Sequence, residues 1–212
     1  MGIDLNNFFD DKLEKKDKKI ELNLSKLNEK ENNNLLDLTK INKGLEKVII
    51  ETGFKNYDNN TSKYDLDLAL FLLNSNGKIQ NVNTDVVYFN NTESLGITLD
   101  NNIKEISDNN EIKRIIIDFD KIPENIEKII CNVTVFEAKK RKQIFGMIKE
   151  SYIRLFDIVK NIDLINFKLS ENVATSTSFN FIEFFKDKNE WKFNLLLNGK
   201  IADLNDILKV YT

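Results

Sequence analysis

The sequence predicts an all-β fold, an antiparallel β-sandwich with one or two short helices. Three observations carry that expectation. Apolar residues recur with a period of two in short runs, as at Ile20, Leu22 and Leu24 or at Ile115, Ile117 and Phe119. Clusters of Asn, Asp, Gly and Lys punctuate these runs, roughly every 8–15 residues, as in a sandwich. The long amphipathic helices that a parallel α/β sheet would need are missing from the pattern.

Taken in order, residues 1–18 set Lys12, Lys15, Lys16 and Lys18 against Asp10, Asp11, Glu14 and Asp17, with only Phe8, Phe9 and Leu13 as apolar anchors. This stretch is expected to be a charged tail, a frayed helix or disordered, ahead of one domain over 19–212. Ile20–Leu24 and its echo at 35–40 read as half-buried strands, and Val48–Thr52 as a third, closed by Gly53. Asp65–Leu73 is the most apolar strand, and Gly77 marks a hairpin turn before a short strand at Val86–Phe89. Residues 90–111 are Asn- and Asp-rich and weakly patterned, which predicts a long loop of the kind that usually serves function. Strands follow around 115–119, ended by Pro123, and over Ile129–Phe136. A short helix is expected within 138–150. Tyr152–Phe156, Asn166–Leu169, Ser176–Phe181 and Trp191–Leu197 supply four more strands, and Asp203–Lys209 a terminal helix.

Composition removes whole classes of chemistry. The chain has 212 residues, enough for a real core, and a net charge of −3, which gives no bulk attraction for nucleic acid or an anionic membrane. Cys131 is the only cysteine, so an intrachain disulfide and a thiolate zinc cluster are excluded. There is no histidine, which eliminates Ser-His-Asp and Cys-His catalysis and most zinc sites. Any metal must be held by oxygen, which favours calcium or magnesium. The N-terminus lacks the basic-then-apolar order of a signal peptide, and no apolar run reaches the roughly 18 residues of a membrane span. A soluble, cytoplasmic protein is expected.

Four segments carry a further expectation: YDLDLALFLLNSNGKI (64–79), DVVYFNN (85–91), FEAKKRKQIFGMIKESYIRLFD (136–157) and LSENVATSTSFNFIEFFKDKNEWKFN (169–194). In this order and spacing the chain resembles the tellurium-resistance TerD family of bacterial stress proteins, from about residue 19 to residue 211. The resemblance implies a β-sandwich with an acidic calcium site at one end. It also implies a stress-related role in tellurite, phage and chemical-damage resistance, from which no reaction follows, and a non-enzymatic, calcium-responsive binding or scaffold module acting through protein partners is expected. The sequence departs from the family pattern at Lys55, which stands where an acid usually follows the Gly53-Phe54 pair. Further departures are Leu99 before Asp100-Asn101, in place of glycine, and Asn109 and Asn110 where aspartates precede the retained Glu111.

Asp65 and Asp67 lie two apart on one strand, so their side chains share a face, with Cα atoms roughly 6.5–7 Å apart. Such a pair repels unless a cation or water intervenes, and a hard cation takes six to eight oxygens. Asp85, Asn90, Asp100, Asn101 and Glu111 are the further candidate ligands, with Asn109 and Asn110 in the degenerate stretch. An amide supplies a dipole rather than a charge, so calcium binding is expected to be weak. The alternatives are solvated aspartates at a strand start, a metal-free structural module with a degenerate site, and a calcium-dependent membrane adaptor.

Other residues point to structure. Lys139-Lys140-Arg141-Lys142 is expected to be a solvated helix face, partly offset by Glu137. Arg154 pairs with a buried acid such as Asp157 or Asp118, or sits exposed on an edge strand. Trp191 and Phe179, Phe181, Phe184, Phe185 and Phe193 are expected in the core, as is Cys131.

Overall fold

The computed structural model describes residues 21–22, 44–55, 64–104 and 110–212, with residues 21–22, 101–104 and 110 described by their backbone. The expected tail over 1–18 and the strand at 35–40 lie outside the described residues. The chain forms two sheets. The seven-stranded sheet runs β1 (Glu21–Leu22), β10 (Ile162–Lys168), β9 (Tyr152–Asp157), β2 (Lys47–Lys55), β7 (Asn110–Asp118), β6 (Ile97–Lys104), β5 (Glu93–Ser94). The five-stranded sheet runs β12 (Glu190–Lys200), β11 (Ser178–Asp187), β8 (Lys128–Val135), β3 (Leu66–Leu73), β4 (Val86–Val87). Among the described residues, every strand pairing is antiparallel except β1 with β10.

Period two decides what each strand buries. Val48 and Ile50 of β2, Ile115 and Ile117 of β7, and Leu66, Leu68, Leu70 and Leu72 of β3 meet in one core between the sheets. Phenylalanines fill it: Phe167 stacks on Phe179 at 4.8 Å and Phe119 on Trp191 at 5.1 Å. Cys131, Phe179, Phe181, Phe184, Phe193 and Trp191 are buried there as expected, while Phe185 is half-buried. All eight residues of β3 are buried because its second face is also covered. Ala69, Phe71 and Leu73 form a smaller cluster with Ile207 of the terminal helix α4 (Leu204–Tyr211). That helix starts on a reciprocal capping box between Asp203 and Asp206. Lys78 Nζ, 2.6 Å from the Thr212 carbonyl oxygen, holds its far end. The other helices are single turns, α1 (Val82–Asp85), α2 (Ala138–Arg141) and α3 (Leu169–Asn172).

Residues 90–111 are not one loop. They hold the hairpin β5–β6 and the start of β7. Ile97 and Leu99 keep the two-residue period, but Thr, Asp and Asn around them mask it. The turn needs Gly96: its φ is +81°, and a Cβ there would lie 2.6 Å from Lys121 Cβ.

Arg154 does not pair with Asp157 or Asp118, nor does it lie on an edge. Its strand β9 sits between β10 and β2, and its partner is Glu51. On the outer face of the larger sheet, Asn166, Arg154, Glu51, Arg114 and Asp100 stand in register across five strands. Glu51 is 2% exposed. It accepts from Arg114 Nε, from Arg154 Nη2 at 3.0 Å and from the Tyr152 hydroxyl at 2.7 Å. Burial pushes the Glu51 carboxyl up, and the Arg154 and Arg114 guanidiniums more than offset it, leaving it below the usual glutamate range.

Breaking a buried pair from one side strands the other charge. Glu51→Ala is therefore expected to cost about 3–5 kcal/mol in urea unfolding. Because the folded carboxyl titrates low, its contribution is complete above the ordinary glutamate pKa. It is lost as pH falls through the folded value, so Glu51→Gln flattens the acid limb of the stability curve.

Candidate functional site

At the end of the sandwich where β3 and β7 begin, the inner stripe of β7 turns from apolar to charged. Reading back from Ile117 and Ile115, the same parity gives Lys113 and Glu111. Lys113 thus leaves its strand on the side that faces the other sheet, and its ammonium reaches β3. Nζ donates to Asp65 Oδ1 at 2.7 Å and to Asp67 Oδ1 at 2.9 Å. One ammonium ties the two sheets together at this end.

Asp67 is buried, with a side-chain exposure of 7%, and Asp65 is more open. Burial pushes the Asp67 carboxyl above its ordinary value, and Lys113 opposes this only in part. For Lys113 the balance is reversed. Burial would lower its pKa, but Asp67 and then Asp65 outweigh that and hold it above the ordinary lysine value. The ammonium therefore stays charged through neutral pH.

A cavity of about 500 Å³ opens beside the pair, walled by Tyr64, Phe89 and Phe136. Glu111 and Arg141 line it with the ion pair. Phe89 meets Phe136 edge-on at 6.3 Å, and the Arg141 guanidinium lies 5.0 Å over the Phe136 ring. Arg141 and Lys140, from the predicted basic run, turn back on Glu137 at 3.3 and 2.9 Å, and the run is solvent-exposed as expected.

Of the predicted ligands, Asp65, Asp67 and Glu111 share this cavity. Asp85 lies elsewhere. Val86 pairs with Phe71, which sets Asp85 beside Leu72, five residues along β3 from Asp67 and roughly 16 Å away. Its oxygens accept from the Gln80 and Asn81 amides at 2.9 and 2.8 Å and from the Thr84 hydroxyl at 2.8 Å. Asn90 is exposed at the tip of the turn closed by Tyr88 and Asn91. Asp100 pairs with Arg114 in the ladder, on the face opposite Lys113. Asn101 lies on β6 and Asn110 opposite Lys55 on β7, while Asn109 is outside the described residues. Sequence reasoning missed Lys113, although a lysine on the core parity of an isoleucine stripe is a visible anomaly. It also missed the aromatic wall, whose residues come from three separate segments.

A calcium ion takes six to eight oxygens at about 2.3–2.6 Å. Between Asp65 and Asp67 that position is held by an ammonium, so the residues as arranged fit calcium only if Lys113 withdraws. Among the described residues, no three acidic side chains stand close enough to share an ion.

The TerD domain pattern matches residues 29–211. The chain belongs to the TerD domain family. A Bacillus subtilis (strain 168) protein named uncharacterized protein YceE is 35% identical over 186 residues, covering 83% of this chain and 93% of that protein. The tellurium resistance protein TerD of Serratia marcescens is 30% identical over 180 residues, covering 83% and 92%. The crystal structure of a TerD homologue, SCO6318 of Streptomyces coelicolor A3(2), superposes with a TM-score of 0.63 at 15% identity over 76% of this chain and 94% of that one. SAV2460, of unknown function, gives 0.65 at 17% identity over 78% and 96%. These two confirm the fold of this TerD domain. None of its described helices is long and apolar enough to cross a membrane.

Asp85 closes its own turn and does not reach the ion pair. Asp85→Ala is expected to cost about 1 kcal/mol in thermal unfolding, by removing the carboxylate that caps the part-buried Gln80 and Asn81 amides, and to leave any calcium response unchanged. A lost response would return Asp85 to the site.

Proposed function

We propose that this TerD domain is a non-enzymatic binding module of a bacterial stress response, acting on protein partners through the end where Lys113 bridges Asp65 and Asp67. The observation that carries this reading is the charged, aromatic-walled cavity at that end, where both sheets contribute. Mixed charge beside exposed aromatic surface is the chemistry of a recognition site. The relatives named for tellurium resistance and stress response supply the biological setting. Support for the absence of a reaction comes from the state of the reactive groups. Burial pushes the Cys131 thiol far up, Glu51 is committed to two arginines, and the sequence has no histidine. A lone buried cysteine suits the cytoplasm.

Calcium enters the reading as a weak ligand of Asp65 and Asp67, in competition with Lys113. The alternative of a metal-free module is favoured by the same contact, because the chain already supplies a cation.

Deleting the gene in its host is expected to lower survival on tellurite. Wild-type protein should restore it, and a folded Asp65→Ala/Asp67→Ala double variant should not. Survival indifferent to the deletion would contradict the stress role, and full rescue by the double variant would move function away from this end.

A further inference from the structure

We infer that Lys113 is the resident cation of the Asp65–Asp67 pair, seated where a divalent ion would sit and setting the concentration at which one can enter. The inference rests on the reading of this end as the working site and deepens it by assigning the residue that governs its ion selectivity.

Geometry comes first. The ammonium bonds to both carboxylates at 2.7 and 2.9 Å, ordinary lengths for charged hydrogen bonds. Two of its three N–H groups thus face the two oxygens that a bridging ion would need. A divalent ion and an ammonium cannot share that gap, because their charges repel at contact distance.

The backbone around this lysine sets a regular strand beside an irregular one. Along the β6–β7 ladder, Asp100 faces Arg114 and Ile103 faces Ile112. Asn101 and Asn102 together therefore oppose the single residue Lys113, which is a β-bulge. Bulges concentrate beside functional sites; this one bends β6 and leaves the strand of Lys113 regular. On its other side Lys113 is held in regular register against Thr52 of β2. Below it, Ile115 and Ile117 continue the same inner stripe, so the apolar stem of the lysine prolongs the core while its head emerges at the mouth.

Tethering makes the occupant hard to replace. A calcium ion in solution competes with a group that never leaves the neighbourhood, whose effective concentration is of millimolar order or higher for a short tether. The apparent affinity for calcium is reduced by the fraction of molecules in which Lys113 has withdrawn. Substituting Lys113 by an uncharged residue of similar length removes the competitor, keeps the stem, and leaves the two carboxylates with only Arg141 across the cavity as a nearby positive charge among the described residues.

The test is calorimetry and thermal unfolding of the full chain with calcium chloride as probe, for wild type, Lys113→Met and Lys113→Arg. Lys113→Met should half-saturate at a calcium concentration at least about tenfold below wild type, a difference of about 1.4 kcal/mol. Calcium should also raise its melting temperature back toward that of wild type. Lys113→Arg, which keeps the cation, should stay near wild type. Should Lys113→Met fail to fold by circular dichroism, Lys113→Gln carries the same comparison. A folded, uncharged variant that binds calcium no more tightly than wild type overturns the inference, as does absence of binding in every variant. Survival on tellurite is read separately: a gain in calcium affinity without any dependence of survival on Asp65 and Asp67 would uphold the resident cation and remove the proposed stress role.

Discussion

A charge on the inner face of a β-sandwich has to meet an opposite charge from the facing sheet, and Lys113 is where this TerD domain obeys that constraint. Period two commits Lys113 to the side of Ile115 and Ile117, so the ammonium cannot turn back to solvent on its own sheet. It is met by Asp65 and Asp67 from β3. Asp65 and Asp67 share the parity of Ala69, Phe71 and Leu73, so the ammonium reaches past the start of β3 toward that sheet's second face, while Phe54, Ile153 and Val135 continue the core beside it. The cavity walled by Tyr64, Phe89 and Phe136 lies beside the ion pair. The proposed recognition surface and a contact between the sheets thus share the same three charged groups.

Consecutive residues of β7 make two kinds of ion pair. Lys113 points inward and joins the sheets, whereas Arg114 points outward and joins strands within one sheet through Glu51. The two differ in their expected response to change. Glu51 is enclosed by two guanidiniums and a hydroxyl, and every group depends on the others. The inward pair has one cation for two carboxylates and keeps a partly open edge at Asp65. In the first network each departure strands a buried charge, whereas the second keeps one carboxylate partly in water.

Much of the architecture was legible because β3, β7, β8 and β11 carry dense apolar periods that water exclusion alone will pair. β6 was not, since a bulge at Asn101 and Asn102 breaks the period within a run of polar residues. The partner of Arg154 could not be read either, because Glu51 is 103 residues away in sequence and only strand order brings them together. Among the candidate ligands, the spacing of Asp65 and Asp67 implies a shared face, and both carboxylates do meet one ammonium. It could not say that the cation would come from another strand of the same chain. Asp85 illustrates the opposite limit: an aspartate four residues after Asn81 can satisfy its own turn, and nothing in the spacing tells a turn-closing acid from a ligand.

The family resemblance and the physical reading therefore converge on the same two carboxylates and differ over what neutralises them. The most direct measurement is a nitrogen–proton correlation spectrum of the lysine side chains at low temperature. The account predicts one protected, slowly exchanging ammonium, assigned to Lys113, with hydrogen-bond scalar couplings from Nζ to the carboxylate carbons of both Asp65 and Asp67. A Lys113 ammonium that exchanges as fast as the surface lysines and shows no coupling to either aspartate would contradict it.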